Sequence, residues 1–259
     1  MRLLRGLRPE DWDRPTLAPR WSVRDVAAHL LDGDLRKLSF HRDGLPVPAP
    51  ERPIACYADL VAFIDGLNAE WLRAARHISP AMLVELLAVT GPLVARFVAG
   101  LDPEAPALFA VSWAGEETSP IWLDTGREYT ERWHHQQQIR EAVGVPGLVA
   151  PTWLRPVFDI SVRALPFGYR EVPAPSGTAV GFDVVGEAGG EWTLVRDTAG
   201  WRLVEGATAD REARVVLDED AAWRLFFKAL PPEVAAERVR IEGDRELGIP
   251  ALRTLAVMA

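Results

Sequence analysis

Cysteine occurs once in the 259 residues, at Cys56. A single thiol excludes an internal disulfide and any cysteine-based zinc cluster. Its apolar setting, IACYADL, reads as that of a small buried residue rather than a nucleophile. Lysine is almost as scarce, with Lys37 and Lys228 the only two, so arginine supplies nearly all of the 29 basic charges. Against 37 acidic residues they leave a net charge of -8. No basic run stands out, which excludes an electrostatic footprint for nucleic acid. Long apolar runs are missing too: no window approaches 18 uninterrupted apolar residues. The start, MRLLRGLRPEDWDRPT, carries charge where a signal peptide needs its apolar core. The expectation is a soluble, cytoplasmic protein with no membrane partner.

What is present is ordinary globular material, 48% apolar and 25% charged, in a length that suits two domains. The first half reads as helices. Ser22 is placed to cap a helix over 22–40, with Asp25 three residues on and Val23, Val26, Ala27, Leu30 and Leu31 along one face. A proline-rich loop, 41–54, precedes a second helix marked by Tyr57, Leu60, Val61, Ile64, Leu67 and Leu72. Ser79 and Pro80 open a third, which Gly91-Pro92 should kink or restart before it ends near Leu101. A fourth runs from Ser119-Pro120 to Gly144. Four helices in that span suggest a bundle.

After Pro151 the texture changes. A short helix around Trp153 to Leu165 leads to GTAVGFDVVG and then EWTLVRDTAGWRLVEG, a hairpin in which Trp192 and Trp201 are expected to pair. ARVVLDEDAAWRLFFKAL and VRIEGDRELGIPALRTLAVM each read as a strand running into a helix, with Asp218 capping the first. The fold class is therefore α+β in two domains: a four-helix bundle over 1–148, then 149–259 with a mainly antiparallel sheet and helices.

The chain has five histidines, His29, His41, His77, His134 and His135. In ERWHHQQQ, Glu131 and His135 lie four apart, so on a helix they project from one face and can converge on one ion, while His134 points about 100 degrees away. A third ligand must come from another helix, and His29, three residues after Val26 on the inner flank of the first helix, is the best placed. Two histidines and a carboxylate leave coordination positions open, as in catalytic metal sites. The plainer readings are a chance surface spacing, a satisfied core histidine, or a buried Glu–His pair with no metal. Composition and spacing go no further than a candidate metal site. Trp113 and Trp133 could line a pocket beside it, although aromatic side chains more often fill cores.

WSVRDVAAHL resembles the first-helix signature of the DinB-like metal-binding bundles, Trp-Ser/Thr-x-x-Asp-x-x-x-His, filled here by Trp21, Ser22, Asp25 and His29. ERWHHQQQIREAVG resembles their last-helix signature, with Glu131 where many have a histidine. That exchange is the pattern of the mycothiol-dependent maleylpyruvate isomerases. The C-terminal segments resemble the sterol-carrier-like domain that follows the bundle in that subfamily.

The resemblance implies His29, Glu131 and His135 as ligands of a divalent metal, zinc first, with nickel, iron or manganese also suited to the donors. It implies a low-molecular-weight thiol such as mycothiol as cofactor, a small electrophile as substrate, and activity as a thiol-dependent transferase or isomerase. It also implies an arginine from the C-terminal domain, for which Arg240, Arg245 and Arg253 are the candidates. The run Gln136-Gln137-Gln138 departs from the subfamily's usual Gly-Gln-Asp. Two alternatives remain: a metal hydrolase using water in the open position, and a non-catalytic protein binding a metal or a lipid.

Overall fold

The computed structural model describes residues 1–208 and 210–257, so the last two residues of the expected C-terminal segment lie outside the described residues. The chain forms two compact units that interleave along the sequence. Among the described residues, one comprises 1–108 and 134–147, the other 109–133 and the residues from 148 to 257.

In the first unit, helix α1 (Val23–Arg36) starts at Ser22 because a capping box forms there. The Ser22 hydroxyl accepts from the Asp25 amide at 3.3 Å, and the Asp25 carboxylate accepts from the Ser22 amide at 2.9 Å. The α-helix ends earlier than the 22–40 expected, and the chain continues as a π-helical turn, Lys37–Arg42. Helices α2 (Tyr57–Ala75) and α3 (Pro80–Ala99) follow. Val23, Val26, Ala27 and Leu31 of α1 share one core with Leu83 and Leu87 of α3 and with Ile139. Trp71 on α2 donates its indole N–H to the Ala28 carbonyl at 2.8 Å.

Helix α3 does not break at Gly91-Pro92; it runs through the proline. Pro92 is exposed, and its missing N–H leaves the Ala88 carbonyl without its usual donor four residues on. An 18-residue window of α3 has mean hydropathy 1.7, long and apolar enough to cross a membrane by length and composition; 22% of that window is buried. Glu85, Thr90 and Arg96 interrupt its apolar run.

Helix α4 (Ile121–Val143) contributes its residues up to Trp133 to the second unit and its remainder to the first. The second unit continues with α5 (Pro151–Ser161) and a sheet of β1 (Ala179–Val185), β2 (Gly190–Arg196), β3 (Trp201–Glu205), β4 (Ala213–Asp218) and β5 (Arg240–Gly243), in the order β3-β2-β1-β4-β5. All neighbouring pairs are antiparallel except β1 with β4. The central strand β1 is buried from Ala179 to Val184, which matches its near-continuous apolar sequence. After β4 comes α6 (Glu219–Phe226), capped by the Asp218 carboxylate accepting from the Ala221 amide at 2.7 Å.

The hairpin forms where expected, but its tryptophans do not pair. Trp192 sits opposite Phe182 and Glu205, and Trp201 sits opposite Arg196. The reason is register: the turn, closed by Asp197 accepting from the Ala199 and Gly200 amides, joins Arg196 directly to Trp201 and offsets Trp192 by four positions.

At the end of β5, Gly243 has φ +74, and a Cβ there would lie 2.3 Å from the Glu212 carbonyl oxygen. That neighbour is backbone and cannot rotate away. Gly243→Ala is expected to cost about 1–3 kcal/mol from the left-handed conformation alone, read as a lower urea midpoint; an unchanged midpoint would show that the β4–β5 connection can rearrange at little cost.

Candidate functional site

Helix α1 presents His29 and α4 presents His135 to the same spot in the first unit. Their ring centroids are 4.8 Å apart, edge to face at 76°. His135 is 6% exposed, and His29 is half-buried. The Trp21 indole flanks both, 4.8 Å from His29 and 6.1 Å from His135. Its backbone is fixed by Thr16, whose hydroxyl and amide both donate to the Trp21 carbonyl, at 2.9 and 3.1 Å. Nδ1 of His135 lies 2.8 Å from Oε1 of Gln138, one helical turn later.

Glu131 stands four residues before His135 in the same unbroken helix and is half-buried. Among the described residues, no three His, Cys, Asp or Glu side chains stand close enough together to hold a metal ion. The two imidazoles are therefore brought together, and the carboxylate is not gathered with them. His134 is also buried, its ring stacked 5.6 Å from that of His135. His41 lies half-buried in the π-helical turn and His77 is exposed.

Farther up α4, Arg127 bonds Asp124 at 2.8 Å and Glu128 at 2.7 Å. Burial works to lower its pKa, but the charges of Glu128, Asp124 and Glu131 outweigh it and hold the guanidinium above its ordinary value. Arg127 is therefore a permanent cation beside the carboxylate row of α4. Sequence reasoning passed over it, although the Asp-x-x-Arg-Glu spacing along one helix carries the signal.

One expectation is corrected. Cys56 is exposed rather than buried; it takes the cap position of α2, where the Asp59 carboxylate accepts from its amide at 3.0 Å and from its thiol at 3.3 Å. Its apolar neighbours misled because composition does not report which side of the chain a cap residue takes. Trp113 and Trp133 take the plainer of their two readings: both are core residues of the second unit, 2% and 3% exposed, and Trp133 packs edge-on against Trp223. Of the arginine candidates, Arg240, Arg245 and Arg253 are all exposed, and Arg240 is engaged by Glu242 at 2.9 Å.

A helical unit carrying a close imidazole pair, followed by an α+β unit built on a mostly antiparallel sheet, defines a two-part α+β protein. The family model for the mycothiol maleylpyruvate isomerase N-terminal domain matches residues 1–140, and the chain belongs to that family. The crystal structure of the mycothiol-dependent maleylpyruvate isomerase is similar over 93% of this chain and 86% of its own, at 12% identity and TM-score 0.52. A histidine-to-alanine mutant of that isomerase aligns over the same shares at TM-score 0.50. At this identity the likeness shows the fold. A sterol carrier protein domain of Helicoverpa armigera aligns with 39% of this chain and 77% of its own at 15% identity, with a TM-score of 0.25. No curated protein matches the chain.

Proposed function

We propose that this chain is a metal-dependent enzyme that uses a low-molecular-weight thiol, mycothiol being the first choice, to transfer to or isomerise a small electrophile. His29, Glu131 and His135 are its metal ligands and zinc the metal to test first. The observation that carries this reading is the pair of imidazoles, 4.8 Å apart, at the histidine positions of both helix signatures in a chain of this family. The donor chemistry fits a divalent cation of this kind: two nitrogens and a carboxylate, with Glu131 completing the set by its place on α4 rather than by contact. A dication held by three such ligands keeps positions open and lowers the pKa of a thiol or water that takes one. The protein's own thiol is given no part in this reading, because Cys56 caps α2 and its thiol is engaged by Asp59.

The remaining roles fall to this chain's side chains. Trp21 covers the imidazole faces and limits water there. Gln138 holds the His135 ring, and Arg127 compensates the carboxylates of α4. We assign the metal-binding part to the sequence segment 1–148 and a sterol-carrier-like domain to 149–259; the family match ends at residue 140, while the packed units cross this division, because 109–133 belongs with the second.

Elemental analysis of untagged protein tests the reading. One metal per chain is expected in the native protein, and loss of it in both His29→Ala and Glu131→Gln. Full occupancy in Glu131→Gln would remove that residue from the ligand set, and no metal after reconstitution would end the proposal. Turnover without any added thiol would turn the loaded enzyme into a hydrolase that uses water in the same position.

A further inference from the structure

Histidine can present either ring nitrogen as a lone pair, and the hydrogen bond made by one nitrogen decides which is left for the other. At His135 the structure makes that decision visible. The atom 2.8 Å from Nδ1 is Oε1 of Gln138, a carboxamide oxygen that can only accept. The bond therefore requires a proton on Nδ1, and in the neutral ring it leaves the lone pair on Nε2.

Gln138 is itself well placed to enforce this. It is 4% exposed, and three residues along a helix put it on the same face as His135. Neighbouring rings restrict the plane of the imidazole as well: His29 meets it edge-on and Trp21 lies at 30° to it. Packing sets the plane of the ring, and Gln138 sets its tautomer.

We propose that Gln138 is a positioning residue that holds His135 as the Nδ1–H tautomer and so presents Nε2 to a divalent cation. The use of that lone pair rests on the metal reading above; the tautomer does not. Because the acceptor is neutral, it polarises the ring less than a carboxylate in the same place would. This chain thus has a moderate rather than a strong imidazole donor.

The test is ring 15N NMR on the metal-free full-length protein at a pH where His135 is neutral, followed by zinc titration against a competing chelator. Native protein is expected to show Nδ1–H. Gln138→Leu is expected to shift the population toward Nε2–H and to weaken zinc by about 10–100-fold. Gln138→Glu is expected to keep Nδ1–H and to bind zinc at least as tightly as native. An Nε2–H tautomer in the native protein overturns the proposal without any variant. So does a Gln138→Leu protein that changes tautomer yet keeps native zinc affinity. If the native protein shows Nδ1–H and binds no zinc, the metal reading falls while the tautomer assignment stands.

Discussion

Asp183→Ala is expected to destabilise the second unit by about 3–5 kcal/mol, the usual cost of removing one partner from a buried charge cluster. Asp183 interrupts the apolar run of β1, and its side chain is 3% exposed. Its carboxylate holds two guanidinium groups, Arg211 at 3.2 Å and Arg214 through Nε. The two would respond differently to its loss. Arg214 is 38% exposed and also reaches Glu242 at 3.3 Å, so it can turn toward water. Arg211 is 11% exposed and lies against Gly181, where a Cβ would come within 2.4 Å of its Nη1. Among the described residues it would be left with Glu191 at 3.7 Å as its ion-pair partner. Most of the penalty therefore belongs to Arg211. Urea unfolding checks it: adding Arg211→Leu to the Asp183 variant should recover much of the loss, and a loss below about 1 kcal/mol in the single variant would show that both cations escape to solvent.

Trp223→Ala should be comparably severe, at about 3–5 kcal/mol. The Trp223 ring is 2% exposed on α6, meets Trp133 edge-on at 5.6 Å, and donates its N–H to Asp220 at 3.2 Å. Arg224 lies 4.3 Å from its centroid, a contact that alone is worth about 0.5–1 kcal/mol at an exposed site. Truncation empties a volume that Trp133 closes from one side. Trp223→Phe keeps most of the apolar area and should recover more than half of the loss. Equal midpoints for the alanine and phenylalanine variants would mean that the site collapses around any substituent and that the edge-on aromatic contact contributes little.

The helices were legible because their signals are local. Ser22 with Asp25, Ser79 before Pro80, and Asp218 at the strand end each name a boundary that a hydrogen bond then realises. The strand segments along the chain were legible for the same reason, through alternation and turn residues, whereas their order in the sheet was not read from the sequence. The pairing of Trp192 with Trp201 was not, because it depends on turn length and register, which composition does not report. At the site, the two histidines could be placed on facing helices from periodicity. Glu131 could be placed on the right face of α4, but whether its carboxylate joins the imidazoles is decided by side-chain rotation and by Arg127 nearby, neither of which spacing encodes. Gln138 was noticed in the sequence as a departure from a motif; its role depends on a single distance.

The way α4 is shared bears on how this protein could have been assembled and how it can be taken apart. Leu123 and Trp133 of α4, with Val111 and Trp113 ahead of it, belong to the core of the second unit, whereas Ile139 of α4 belongs to the core of the first. No single cut in the polypeptide separates two whole cores. A fragment beginning at 149 would lack four of its own core side chains, and one ending at 108 would lack Ile139 and His135. The two units are distinct as packed bodies, yet as pieces of chain they are inseparable. Insertion, deletion or grafting at the apparent domain boundary would disturb both.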